Sequence, residues 1–197
     1  MNRSGNVLLG AMEPLTDEDF FDGGLNGVSP AWTLGHLACV TDLFGSWVRG
    51  TMPSLPVEVH NVFNSLDIGG TSEHTKAENV ERQPYSKSQI IQFFRLAQVE
   101  LLATLDAFDE ERWDDATPDY VPDSIHSYGT LWESLGVHTY WHLGELCGAH
   151  EKFHNTYTLN SVLHYFYVPP HPQISEPVPD LHDIESIQSP EQTYEPA

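Results

Sequence analysis

The sequence predicts an all-α fold, a helical bundle, and three observations carry that prediction. Three long stretches repeat apolar residues at spacings of three and four, the period of a single helix face. Each of them opens on a cap signal of the kind that starts helices. Two of the three apolar stripes are interrupted by histidines, which brings ligand-bearing side chains to the bundle interior.

The elements follow in order. From about Ser4 to Glu13, the spacing of Val7, Leu8 and Met12 predicts a first helix that is short for a bundle. A polar turn through Thr16, Asp17, Glu18 and Asp19 follows, then a Gly-rich loop, FDGGLNGV. Ser29 before Pro30 is an N-cap followed by the first helical position, and it opens a helix to about Arg49. His36, Val40, Leu43 and Trp47 form the inward stripe of that helix. Residues 50–85 hold three prolines and a Gly-Gly pair with little periodicity. They read as a long loop with a short turn of helix near 60–66, and loops of that length are often functional.

Ser86 and Gln89 have the spacing of a capping box, after which Ile90, Phe94, Ala97, Leu101 and Leu105 mark the inward face of a helix to about Phe108. Arg95 and Glu100 fall on its polar face. An acidic, proline-containing connection leads to a second capping-box spacing, Thr130 and Glu133. The stripe of the last long helix then runs Leu131, Leu135, His138, His142, Glu145 and Ala149. At roughly 100° per residue, His142 lies about 40° to one side of His138 and Glu145 about 20° to the other, so all three share a face. His150 and His154 have the same spacing but rotate off that stripe, which makes them surface residues. Beyond Phe153, LNSVLHYFYV predicts a short helix or strand packed on the bundle. The remainder from Pro169, rich in proline and acid and without lysine or arginine, reads as an extended tail.

Composition bounds the function. A chain of 197 residues suits one domain with extensions. Its 29 acidic and 8 basic residues give a net charge of −21, which repels nucleic-acid phosphates and anionic membrane surfaces. No apolar run is long enough to cross a membrane, and the first residues lack a signal-peptide pattern, so a cytoplasmic location is expected. Cys39 and Cys147 both fall in expected helices and read as free, buried thiols.

With eleven histidines in the chain, a pair four apart is unsurprising by chance. The informative fact is position: His138 and His142 stand where leucine would be expected, and His36 does so on an independent helix. Neutral imidazoles brought together in a dry interior suit a divalent metal ion such as Zn, Ni or Fe. Three protein ligands leave positions for water or a small-molecule substrate, which points to catalysis. Glu145 stands as a fourth ligand, an outer-shell partner or a general base, and spacing does not choose among these roles. The competing reading is a set of core histidines bonded to one another or to Glu145. HExxH, GxSxG and GxxxxGK[ST] motifs are absent, which removes the zincin, hydrolase-elbow and nucleotidase readings. Trp32, Trp47, Trp132, Tyr140 and Trp141 read as core in preference to a pocket mouth.

The stretches PAWTLGHLA around His36 and HTYWHLGEL around His138 and His142 resemble the DinB superfamily. The resemblance covers roughly residues 1–155 and implies a four-helix bundle of up-down-down-up topology. Residues 156–197 are then a C-terminal extension with a Pro-rich acidic tail outside the family pattern. The resemblance carries His36, His138 and His142 over, one by one, as the ligands of a three-histidine metal site. It also implies chemistry, since characterised members include transferases and isomerases that use low-molecular-weight thiols, and a related domain accompanies iron enzymes of thiohistidine biosynthesis. Members often pair as homodimers through helix faces. Two departures stand out: Glu145 occupies a position where the family often has glutamine, and the first helix is short.

Two functional readings remain open. In the first, the metal activates a thiol or water in a transferase-like or hydrolase-like enzyme, with Arg49, Lys76, Arg82, Lys87 and Arg95 as the cations able to receive an anionic cofactor. In the second, the bundle is a non-catalytic metal-binding or partner-binding module that uses residues 50–85 and the tail as contact surfaces.

Overall fold

The computed structural model describes residues 2–23, 29–63 and 84–149. The expectations for His150, His154, LNSVLHYFYV and the tail lie outside those residues, as do Lys76 and Arg82. The side chains of Val7, Cys147 and Ala149 are likewise outside the description.

Ser29 accepts a hydrogen bond from the Trp32 N–H at 3.0 Å, with Pro30 at the first helical position, and α3 (Pro30–Arg49) starts where the cap pair predicts. It stops at Gly50, whose φ of 65° is left-handed backbone that glycine adopts without a Cβ penalty. The expectation of a single inward stripe is too narrow for α3. Every residue from Pro30 to Asp42 is buried, because α2 (Asp17–Phe21), α4 (Val57–Phe63), α5 (Lys87–Asp106) and α6 (Tyr128–Ala149) all pack against this helix. The small residues Ala31, Gly35 and Ala38 let neighbours approach on sides the stripe leaves uncovered.

Around that mast, α1 (Asn2–Met12) packs on α5 and α6 and fully buries Leu8 and Met12. The polar turn expected at 16–19 is instead a five-residue helix, α2 (Asp17–Phe21). Thr16 caps it by accepting from the Asp19 N–H, three acidic residues fill its first turn, and it delivers Phe20 to the core. The short helix expected near 60–66 lies slightly earlier, at α4 (Val57–Phe63), directly after Pro56.

The capping box at Ser86 and Gln89 is present in both directions and opens α5 (Lys87–Asp106). Ile90, Phe94, Ala97 and Leu101 are buried as expected, Leu105 is only partly so, and Phe93 and Leu96 widen the face. A short 3-10 turn (Glu110–Arg112) and an isolated antiparallel bridge between Ala116 and Ser127 make up the connection.

The last helix, α6 (Tyr128–Ala149), corrects the second capping-box expectation. It begins ahead of Thr130, and the Ser127 hydroxyl accepts the Thr130 N–H at 3.2 Å while Glu133 is exposed. The connection sets this start: Tyr128 N–H donates to Asp115 O at 3.1 Å and Gly129 N–H to Trp113 O at 2.7 Å, which leaves Ser127 in the bridge as the capping residue.

The six α-helices among the described residues enclose two apolar clusters. One gathers Leu8, Met12, Phe20, Leu34, Phe63, Phe93 and Leu146; the other gathers Val40, Leu101, Leu131, Trp132 and Leu135. His138 and His142 lie along α6 between Leu135 of the second cluster and Leu146 of the first. Trp32 and Trp132 are core and Trp47 is partly buried, but Tyr140 and Trp141 are exposed, against expectation. Helix phase explains it, since the buried face of α6 is centred on Leu135, Thr139, His142 and Leu146 and those two aromatics lie on the opposite side. No described helix is long and apolar enough to cross a membrane.

Candidate metal centre

His36, His138 and His142 offer one nitrogen each within 4.8 Å of one another. His138 Nε2 lies 2.8 Å from His142 Nε2 and 3.4 Å from His36 Nε2. The rings meet edge to face, with centroids 4.5 to 5.2 Å apart. His36 and His142 are buried, whereas His138 sits at the rim of the buried face and is half-buried.

The far nitrogens show how each ring is set. His36 Nδ1 donates to the backbone carbonyl of Phe63 at 2.9 Å, at the C-terminal end of α4. His142 Nδ1 donates to the Glu145 carboxylate, Oε2, at 2.7 Å, one turn along α6. A neutral imidazole that spends its proton at Nδ1 presents an acceptor lone pair at Nε2. Two such acceptors therefore face His138 Nε2, which has at most one proton to give. A cation serves all three lone pairs at once and a single N–H does not, so the donor set fits a divalent metal ion.

Packing fixes the rings further. The Trp32 indole lies parallel to His36, with centroids 4.6 Å apart and planes 9° from coplanar, and meets His142 edge-on at 5.8 Å. Thr139, buried beside the cluster, bonds back to Leu135 O at 3.2 Å. Burial pushes the His138 pKa below its ordinary value, with the Glu145 charge pulling the other way. The neutral, metal-competent form is thereby favoured.

Nearby groups fall outside the cluster. Cys39, three residues after His36, directs its thiol to Val59 O at 3.6 Å, and burial together with the Asp42 charge pushes its pKa far up, so it stays protonated. Arg49 is bound to Thr104 at 2.7 Å, Arg95 to Glu13 at 2.5 Å, and Lys87 to the carbonyls of Glu13 and Leu15. These three expected pocket cations are committed to structural contacts.

Sequence reasoning misses two contributors. Trp32 lies one turn before His36 on the same face, so its stacking role is legible from spacing. The Phe63 carbonyl is backbone and carries no side-chain signal.

The family model of the DinB superfamily matches residues 1–156. The chain belongs to the DinB superfamily. Neither the curated proteins nor the solved structures contain a match. In this DinB-superfamily chain the motif histidines of α3 and α6 are the ones that converge.

Proposed function

We propose that this DinB-superfamily protein is a metal-dependent enzyme that holds one divalent ion, Zn, Ni or Fe, on His36, His138 and His142. The observation that carries the reading is the convergence of three Nε2 atoms while the Nδ1 atoms of His36 and His142 donate outward. A bound ion of this kind is a Lewis acid that lowers the pKa of a thiol or water. The reaction class is transferase-like on a low-molecular-weight thiol, or hydrolase-like on a small molecule.

The chain's own residues divide the work. Phe63 and Glu145 hold the tautomers of His36 and His142, and Trp32 holds the plane of His36. Glu145 is read as the orienting partner of His142 in preference to a ligand or general base, because its Oε2 is engaged with Nδ1. A glutamine carbonyl accepts the same bond, which accounts for either residue at this position. Among the described residues, Arg49, Lys87 and Arg95 make their hydrogen bonds to Thr104, Glu13 and Leu15 and not to the histidine cluster. We read α1, α3, α5 and α6 as the four helices of the up-down-down-up bundle, with the domain over 1–155 and the tail beyond it.

The first experiment is metal analysis by mass spectrometry on untagged protein beside the triple variant His36→Ala, His138→Ala, His142→Ala. About one equivalent bound by the natural protein and lost in the variant supports the site, and thiol-transfer and hydrolytic assays follow. No metal in either protein, with reloading also failing, refutes it. Glu145→Gln is expected to keep its metal.

One observation favours a second reading, a partner-binding module: Val137 and Trp141 on α6 are each 65% exposed beside Tyr140. Partner binding that persists in His142→Ala without any turnover in the natural protein would favour it.

A further inference from the structure

Helix α4 has seven residues, two turns, which is too short to hold its shape in water unaided. Its place on α3 is set by contacts at every third position of the longer helix. Gly35 and His36 meet Phe63, Cys39 meets Val59 O, and Asp42 meets the approach to the helix and its middle. Asp42 is the strongest of these. It is 1% exposed and its carboxylate collects three donors: Ser54 N–H at 2.9 Å on Oδ1, Leu55 N–H at 2.9 Å on Oδ2, and His60 Nε2 at 3.0 Å on Oδ2. A carboxylate buried this fully persists only because its lone pairs are met, and charge-assisted bonds of this kind are the strong ones.

The consequence reaches the histidine cluster. Phe63 is the last residue of α4, and its carbonyl is what takes the His36 Nδ1 proton. Its ring meanwhile lies where a Cβ on residue 35 would stand, so Gly35 lets α4 settle close to α3. If α4 slid or frayed, the carbonyl would leave Nδ1, and the His36 proton would be able to sit on either nitrogen.

We propose that Asp42 is a positioning residue for the three-histidine centre: through Ser54, Leu55 and His60 it seats α4 so that the Phe63 carbonyl selects the Nδ1–H tautomer of His36. Nε2 is thereby the nitrogen His36 presents to His138 and His142. The effect on metal affinity rests on the metal-site reading above, whereas the effect on the tautomer does not.

The test separates the two. Long-range 1H–15N correlation spectra of the metal-free full chain report the His36 tautomer, and Co(II) titration followed by visible absorption reports affinity. In the natural protein His36 is expected as Nδ1–H. In Asp42→Asn the amide NH2 faces donors where the carboxylate accepted them, and a mixture of His36 tautomers is expected with Co(II) binding weakened roughly 10- to 100-fold, the range of outer-shell substitutions. His60→Ala keeps Asp42 and its two backbone donors, and is expected to give a smaller shift in the same direction; it decides the matter if Asp42→Asn does not fold. Leu101→Ala, in the second apolar cluster, lowers the melting temperature without touching α4 and is expected to leave the tautomer unchanged. An Nε2–H tautomer in the natural protein, or folded Asp42 and His60 variants with an unaltered His36 tautomer, overturns the proposal. A tautomer shift in a protein that takes up no Co(II) upholds Asp42 and refutes the metal site.

Discussion

Replacing His138 by leucine separates a metal centre from a set of core histidines. His138 Nε2 stands 2.8 Å from one partner nitrogen and 3.4 Å from the other, so without it the cluster keeps two of its three converging nitrogens and should bind an ion more weakly. Leucine fills a similar volume at the edge of the buried face but removes the imidazole that the Nε2 atoms of His36 and His142 face, and deleting one partner of a buried polar contact costs about 1 to 3 kcal/mol. Metal-free, the variant should therefore melt somewhat below the natural protein. With metal the gap should widen. An ion at 100 times its Kd stabilises the folded state by about 2.7 kcal/mol. At about 2 to 4 °C per kcal/mol for a domain of this size, the natural protein should gain roughly 5 to 11 °C. The variant should gain about 1 °C or less. The assay is thermal unfolding followed by circular dichroism, with Zn, Co, Ni and anaerobic Fe(II) added to chelator-treated protein. The reasoning fails if no metal raises the melting temperature of the natural protein, or if His138→Leu gains as much as the natural protein does.

Three further outcomes are expected. Burial lowers the folded-state pKa of His138 below the ordinary 6.5, so the unfolded chain takes the proton first; metal-free stability should fall as pH drops through 6.5 toward that lower value, measurable as a declining urea midpoint. Gly35→Ala sets a Cβ against the fully buried Phe63 ring, well inside contact distance, and should destabilise by about 1 to 3 kcal/mol while weakening Co(II) binding; a neutral result would mean α4 is not held close. Trp32→Ala should cost about 3 to 5 kcal/mol by chemical denaturation, with Trp32→Phe recovering much of it because an aromatic ring still covers His36.

Much of this architecture is legible in the amino-acid sequence. The Ser29–Pro30 cap and the Ser86–Gln89 box set two helix starts, because those signals act within three residues and need no tertiary partner. The histidine face is legible from phase, since 138, 142 and 145 differ by small rotations on one helix. What escapes is tertiary. The start of α6 depends on a bridge to Ala116, eleven residues upstream of Ser127, and no local spacing encodes it. The all-round burial of α3 depends on how many neighbours reach it, which one helix's pattern does not state. Phase also leaves the role of Glu145 open, because rotation about the helix axis does not say which nitrogen a carboxylate meets; the 2.7 Å contact to Nδ1 does. By spacing alone Asp42 is one more polar residue of α3, and its importance comes from three donors at residues 54, 55 and 60 that only folding brings to it.

His36 and His138 stand 102 residues apart in the chain. As the protein is made, the first histidine of the cluster leaves the ribosome long before the other two exist, and the α4 carbonyl that accepts its Nδ1 proton also arrives early. The pair on α6 comes last. If the cluster holds a metal, capture is accordingly a late event in the life of the molecule, open only to a chain completed through α6. Occupancy would then report that the helices at 30–49 and 128–149 have met.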